Sequence, residues 1–367
     1  VRRIRTVVAA LALLTACTGG PAEPGPSTPV AALPNGDELP SGCSESSPTP
    51  AQTVTFVADG RAWATEPVKD ATPACLFEVA DPGRFEWGPL ADRVLLANLE
   101  VRGVLGGPDR PAGDVDPAMT SWGRPTGKSL VFIPDDGSAV LKAHPESASV
   151  DDVTPMHNTK FLDVTYHPSG LAFAYVVQRT GGQAIWMSSN TGTDPKRLVF
   201  SDSGTRFGPV TFANNGSTFF YAAVHEPETP AVHRLDLPDL GVSTVWTGEK
   251  GRVTDLWPGS RPNDLAFTVG EGCAKAEAMV INQARGRVES LVPNETRPTR
   301  ALGWLDPRTL LVSIGPCDAP LDLKAVNALS GEAVPLVTGV TAGSIRVAVA
   351  TPPPPLPGEI VQGSGVA

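Results

Sequence analysis

Six times along the chain a short phrase returns: an apolar strand carrying an aromatic residue, a turn of Pro, Gly or Asn, then a second apolar strand. Phe85-Glu-Trp87-Gly-Pro-Leu-Ala-Asp-Arg-Val-Leu-Leu is one copy, and Val164-Thr-Tyr166-His-Pro-Ser-Gly170-Leu-Ala-Phe-Ala-Tyr is another. A β unit this short cannot bury its own faces, so it must stack on its neighbours. With Trp87, Trp122, Tyr166, Phe212, Trp257 and Trp304 as markers, the steps are 35, 44, 46, 45 and 47 residues. A four-stranded unit of about 40–45 residues is the spacing of a propeller blade.

The clearest unit shows all four strands: Phe161 to Tyr166, Leu171 to Val177, Ala184 to Met187 and Lys196 to Phe200. The intervening turns, Pro168-Ser-Gly170, Gly181-Gly182 and Asn190-Thr-Gly192, have the residues that turns demand. After residue 50 a helical period of 3.6 is hard to find. Near the N-terminus, Thr53 to Val57, Arg61 to Thr65 and Cys75 to Val79 form a unit that lacks its first strand, and Ser344 to Val349 is a lone first strand. Paired, they close the ring and remove an exposed sheet edge. The expected fold is an all-β, single β-propeller. It has seven four-stranded blades, the first completed by both termini, with six or eight as the alternatives.

The turn phrases Tyr166-His-Pro-Ser-Gly170-Leu-Ala-Phe and Phe212-Ala-Asn-Asn-Gly216-Ser-Thr-Phe-Phe resemble the WD40-like repeats of the TolB-like β-propellers. That family places an aromatic-x-Pro-Asp-Gly turn between the two inner strands; here Ser169 or Asn215 stands before the Gly. The resemblance covers roughly residues 50–350. It implies the fold, while propellers host many unrelated functions. TolB's partner, the peptidoglycan-associated lipoprotein, does not carry over, because no partner-binding motif matches.

The ends place the protein. Arg2, Arg3 and Arg5 precede the apolar run Val7 to Leu14, which is too short to span a bilayer and suits a signal-peptide core. Leu14-Thr-Ala-Cys17 resembles the bacterial lipobox, which implies that Cys17 receives a diacylglycerol and becomes the mature N-terminus. The expected organisation is a lipoprotein signal peptide over residues 1–16, a Gly/Pro/Ser-rich tether over 17–50, the propeller over 51–350 and a disordered Pro-rich tail over 351–367. The expected location is the extracytoplasmic face of the cell membrane, held by the lipid.

An extracytoplasmic compartment permits disulfides. Cys43, Cys75, Cys273 and Cys317 allow three pairings. Cys273 and Cys317 each follow the second strand of neighbouring units, where equivalent loops lie side by side. This pairs Cys273 with Cys317 and leaves Cys43 with Cys75. There is no C-x-x-C and no nearby His to suggest a metal or redox site.

The net charge of −10 argues against nucleic acid or anionic lipid as the main partner. The five histidines, His144, His157, His167, His225 and His233, lack metal-motif spacing, and no G-x-S-x-G elbow occurs. His167, in the turn after Tyr166, reads as structural. No metal, no cofactor and no catalytic residue is expected. One constellation runs against the acidic balance: Arg84, Lys160, Arg206, Arg252 and Arg300 each open the inner strand of a unit. In a propeller these positions circle one mouth of the channel, where converging cations could hold a carboxylate, a phosphate or an acidic partner segment. The plainer alternative is solvated turn residues spaced by the repeat. The function expected is a non-catalytic, monomeric binding or scaffold module that engages an envelope protein or a small anionic ligand. The alternatives are a hydrolase of glycans or lactones, or a sensor subunit of an envelope complex.

Overall fold

The computed structural model of the chain describes residues 52–69, 71–78 and 129–341 (apart from 146, 148, 202–203, 226–227, 283–286 and 318), together with the strand segments named below and positions 32–34, 38–39 and 43. The described residues are almost entirely strands. β1 (Gln52–Ala58), β2 (Arg61–Thr65) and β3 (Ala74–Glu78) come first, followed by the short strands β4 (Phe85–Trp87), β5 (Arg93–Leu96), β6 (Glu100–Gly103) and β7 (Arg110–Pro111). The third group is β8 (Pro117–Trp122), β9 (Leu130–Pro134), β10 (Leu141–His144) and β11 (Ser149–Asp152), and the fourth is β12 (Lys160–Tyr166), β13 (Ala172–Arg179), β14 (Gly182–Ser189) and β15 (Lys196–Phe200). Next come β16 (Thr205–Phe212), β17 (Thr218–His225), β18 (Thr229–Asp236) and β19 (Gly241–Thr247), and then β20 (Arg252–Pro258), β21 (Leu265–Gly270), β22 (Ala276–Asn282) and β23 (Arg287–Ser290). β24 (Thr299–Trp304), β25 (Thr309–Ile314), β26 (Leu321–Asn327), β27 (Ala333–Val340) and β28 (Arg346–Val349) complete the series.

Each group pairs in chain order as an antiparallel four-stranded sheet, and β28 adds to the free edge of β1. The ladder runs from Gln52 opposite Val349 to Thr55 opposite Arg346, so both ends of the chain build the closing blade, as the half-units at the termini suggested.

The strands are apolar on both faces where the repeat is strongest, and β17 shows why. Phe219, Tyr221 and Ala223 point into the seam with the preceding blade, beside Val176 and Ile185. Phe220 and Ala222 point the other way, beside Leu256 and Phe267. Period-two alternation therefore buries every residue from Thr218 to Ala223. The outermost strand β19 has only one neighbour in its sheet and is exposed over Gly241–Thr244.

Five such apolar seams join blade to blade: β8–β11 to β12–β15, and so on in order to β24–β27, which packs on the β1–β3 blade through Leu311, Leu323, Phe56 and Trp63. A blade is defined by face-to-face burial, and the described seams tie together six blades rather than the expected seven. The sheet β4–β7 is described by its backbone alone. Residues 1–31 and 350–367, with Cys17 and both proposed terminal segments, lie outside the described residues, as does Arg84.

Seam burial predicts the cost of a core truncation. Phe219, fully buried beside Phe212 with ring centroids 4.9 Å apart, should cost ~3–5 kcal/mol when replaced by Ala. Urea unfolding of Phe219→Ala reads this directly, and a loss below ~1 kcal/mol would show that the seam does not carry that burial.

Candidate functional site

In an antiparallel four-stranded meander, three features fall at one end of the blade: the start of strand one, the link from strand two to three, and the exit toward the next blade. Lys160 opens β12 and Arg252 opens β20, while Arg206 and Arg300 are the second residues of β16 and β24. They pair with Gln178, Val224, Gly270 and Ser313 of the adjoining strands, so the four occupy equivalent register positions in four successive blades. The inner strands of these blades lie side by side.

Just beyond each cation the inner strand carries a bulge: between Phe161 and Asp163, Phe207 and Val210, Val253 and Asp255, and Ala301 and Gly303. A bulge bends and twists its strand and withdraws backbone groups from the ladder. The neighbouring blade supplies acceptors for them. Val210 N–H donates to Asp163 Oδ2 at 3.0 Å, and Ala301 N–H donates to Thr268 Oγ1 at 3.1 Å. Phe207 N–H donates to Gln183 Oε1 at 2.6 Å. Asp163 also accepts from Val164 N–H through Oδ1 at 2.8 Å. Burial pushes its carboxyl up to about 7, against the pull of the two backbone donors.

The electrostatics of this end are uneven. Arg297, on the exit from β23, donates to Asp322 Oδ2 at 2.7 Å and to Glu295 Oε1 at 3.0 Å. These two carboxylates hold the guanidinium well above its ordinary range, and Arg297 in turn lowers Glu295. Lys324 adds to Glu295 at 3.8 Å, and Lys275 meets Glu271 at 2.9 Å. Lys275, Arg297 and Lys324, all on the last two blades, are thus matched to carboxylates. Lys160, Arg206 and Arg252 are exposed and, among the described residues, have no carboxylate at ion-pair distance; Arg300 is half-buried. The Lys160 stem lies over Gly137, where an added Cβ would meet Lys160 Cγ at 3.2 Å and Phe161 O at 2.8 Å. Gly137 has φ +70° and its carbonyl accepts Phe161 N–H at 2.8 Å, so this turn seats the lysine.

Cys273 begins a 3-10 turn after β21 and Cys317 lies in the equivalent loop after β25. Cys317 is disulfide-bonded, and the side chain of Cys273 lies outside the described residues. Cys43 is bonded to Cys75, with their Cα atoms 4.4 Å apart.

The opposite end carries latches whose partners sequence reasoning missed. His167 Nε2–H donates to Gly216 O at 2.8 Å, and its Nδ1 accepts Ser169 N–H at 3.1 Å, which fixes a neutral ring. Burial lowers its pKa. Gly216 has φ +70°, and a Cβ there would sit 2.6 Å from the His167 ring, so glycine is required twice over. Asn214 Nδ2 reaches Gly259 O at 2.9 Å, Trp257 Nε1 reaches Ala301 O at 2.9 Å, and Trp304 Nε1 reaches Trp257 O at 2.8 Å. Trp257 and Trp304, two of the repeated aromatic markers, therefore pin adjacent blades. Their regular offset was visible in the sequence, but their partners were not. His225 and His233, eight residues apart, also come together, with ring centroids 5.7 Å apart and Nδ1 atoms facing the hydroxyls of Thr205 and Thr244. Among the described residues, no three His, Cys, Asp or Glu side chains gather as a metal cluster.

The propeller architecture expected from the turn phrases is the one observed. No protein-family model matches the chain, and no curated protein matches it by sequence. Solved structures do. A prolyl endopeptidase aligns at 12% identity and TM-score 0.56, over 78% of this chain and 50% of that one, so the chain spans half that enzyme's length. An oligogalacturonate lyase solved in complex with manganese aligns at 9% identity and TM-score 0.54, over 76% and 82% of the two chains. TolB from Acinetobacter baumannii aligns at 10% identity and TM-score 0.49, over 80% of each. At these identities the likeness is one of fold.

Asp163 generates a pH prediction. Its ordinary value is 3.8 and its folded value about 7, so between these the native state holds a proton that the unfolded chain has lost. Its contribution is therefore fully present below about pH 4 and is lost as pH rises through about 7, with a slope of up to about 1.4 kcal/mol per pH unit. His167, lowered by burial, acts in the opposite sense, so the comparison must be made against Asp163→Asn. Urea midpoints from pH 5 to pH 8 should fall for the native chain relative to this variant. Parallel profiles would assign the titration elsewhere.

Proposed function

We propose that this chain is a non-catalytic, extracytoplasmic, lipid-anchored binding or scaffold protein. It takes a small anionic ligand or an acidic partner segment at the strand-entrance face. The observation that carries this reading is the contrast at that face: Lys275, Arg297 and Lys324 are matched to carboxylates, whereas, among the described residues, Lys160, Arg206 and Arg252 stand at equivalent strand entrances without one at ion-pair distance. Charge-assisted hydrogen bonds to a carboxylate or phosphate are the chemistry such positions offer. Arg300 holds the equivalent register position in the blade β24–β27. An enzymatic reading would need carboxylates or imidazoles at these strand entrances, and the chain places Lys and Arg there.

In the same reading, Cys273 bonds Cys317 and ties the loops of the last two blades on the ligand-facing end. Support comes from the bonded state of Cys317 and from the matching loop positions of the two residues. Lipidation at Cys17, following the basic start and apolar run, anchors the propeller to the outer face of the membrane.

Two experiments test this. Arg206→Glu combined with Arg252→Glu should weaken binding of a labelled oligoglutamate peptide at least tenfold, a change of about 1.4 kcal/mol. The native affinity should fall as salt is added. Equal affinity in the variant would remove the anion-binding face. Cys17→Ala should move the protein from the membrane fraction to the soluble fraction of the cell envelope, and persistent sedimentation with membranes would remove the lipid anchor.

A further inference from the structure

The chain before β1 reads as a spacer, yet its described residues are fastened to the ring at three points. Ala32 N–H donates to Thr338 O at 3.1 Å, and Ala32 O accepts both Thr338 N–H at 2.9 Å and Thr338 Oγ1 at 3.1 Å. Ala32 is also bridged antiparallel to Glu38. Leu39 packs on the apolar cluster that joins the last blade to the first. Cys43 is bonded to Cys75 of β3.

These points lie on two different blades. β27 is the outer strand of the last blade, and β3 is the outer strand of the first. Between them is the seam of the closing blade, whose own covalent continuity is broken because β28 and β1 come from opposite ends of the chain. Ala32, Leu39 and Cys43 therefore bridge the rim of the ring where it is joined by a four-pair ladder. Ala32 also occupies the backbone of Thr338 on the outer edge of β27, where an unpaired donor and acceptor would otherwise be open to another extended chain.

We propose that this stretch is a redox-locked strap. With the disulfide formed, it clamps the closing seam and occupies the β27 edge. With the bond opened, the edge becomes an acceptor for an extended peptide, through the same backbone pairing that Ala32 makes now. Opening requires a dithiol reductant. One thiolate attacks the sulfur of Cys43, which is exposed, and the buried Cys75 sulfur leaves and takes up a proton. The second thiolate of the reductant then resolves the mixed disulfide. Cys43 is released as a thiol with its own proton, and the reductant departs as a cyclic disulfide.

The test is hydrogen exchange at the Thr338 amide in the full chain, read by NMR or by mass spectrometry of the β27 peptide. Cys43→Ser with Cys75→Ser isolates this bond from the one at Cys317. Exchange should rise at least tenfold in that variant, and also in the native chain treated with dithiothreitol under folding conditions. The second measurement keeps the result readable if the variant folds poorly. A labelled synthetic peptide spanning residues 30–40 should then bind the opened protein saturably and leave the oxidised protein unbound. Leu39→Asp with the bond intact should leave Thr338 protected. Unchanged Thr338 protection after opening, peptide binding equal in both redox states, or loss of protection in Leu39→Asp alone would each overturn the lock.

Discussion

Each well-described blade of this ring is apolar on both sides, and its own four strands can cover neither side. β17 makes the constraint plain: Phe219 and Tyr221 need the blade before it, and Phe220 and Ala222 need the blade after. Burial is therefore a property of seams between blades, and the hydrophobic stabilisation scales with the area those seams remove from water. A linear stack would leave two terminal faces wet. The pairing of β28 with β1 brings the last face, with Leu311 and Leu323, onto the first, with Phe56 and Trp63.

The seams also settle where polar groups go. Bending strands inward around an axis requires bulges, and bulges release backbone N–H groups into a buried setting, where an unmet donor costs about 1–3 kcal/mol. Asp163, Thr268 and Gln183 meet them from the adjoining blade. At the other end His167, Asn214 and Trp257 bridge to the carbonyls of the next blade. The seams of β12–β15 with β16–β19 and of β20–β23 with β24–β27 are thus held by apolar packing in the middle and by directed hydrogen bonds near both ends. That rigidity fixes the register at which Lys160, Arg206 and Arg252 emerge, so the candidate binding face inherits its geometry from the core.

Chain order and spatial order part company at the closing seam. Elsewhere the four strands of a blade follow one another in the chain, whereas the closing blade joins β28 to β1 from the two ends of the chain. Ala32 at the β27 edge and the Cys43–Cys75 bond at β3 reinforce this junction from outside. A segment whose composition suits a flexible spacer is recruited because the edge of β27 offers unpaired backbone groups and the seam offers an apolar surface for Leu39.

By itself the sequence determined the unit, its period and the half-units at the ends. Strand alternation and turn residues are local constraints, written within a few positions such as Tyr166 to Gly170. It also marked Lys160, Arg206, Arg252 and Arg300 as equivalent, because their common offset follows from the repeat. Only the tertiary structure decided which cations are neutralised, since Glu295 and Asp322 reach Arg297 from separate segments. It alone revealed Asp163 as a buried strut and His167 as a latch, because each is defined by a partner about one blade further along the chain. It alone paired Ala32 with Thr338, which are 306 residues apart. Periodicity is a short-range property that a chain carries in its order of residues. Pairing across that distance depends on where closure of the ring brings two edges together.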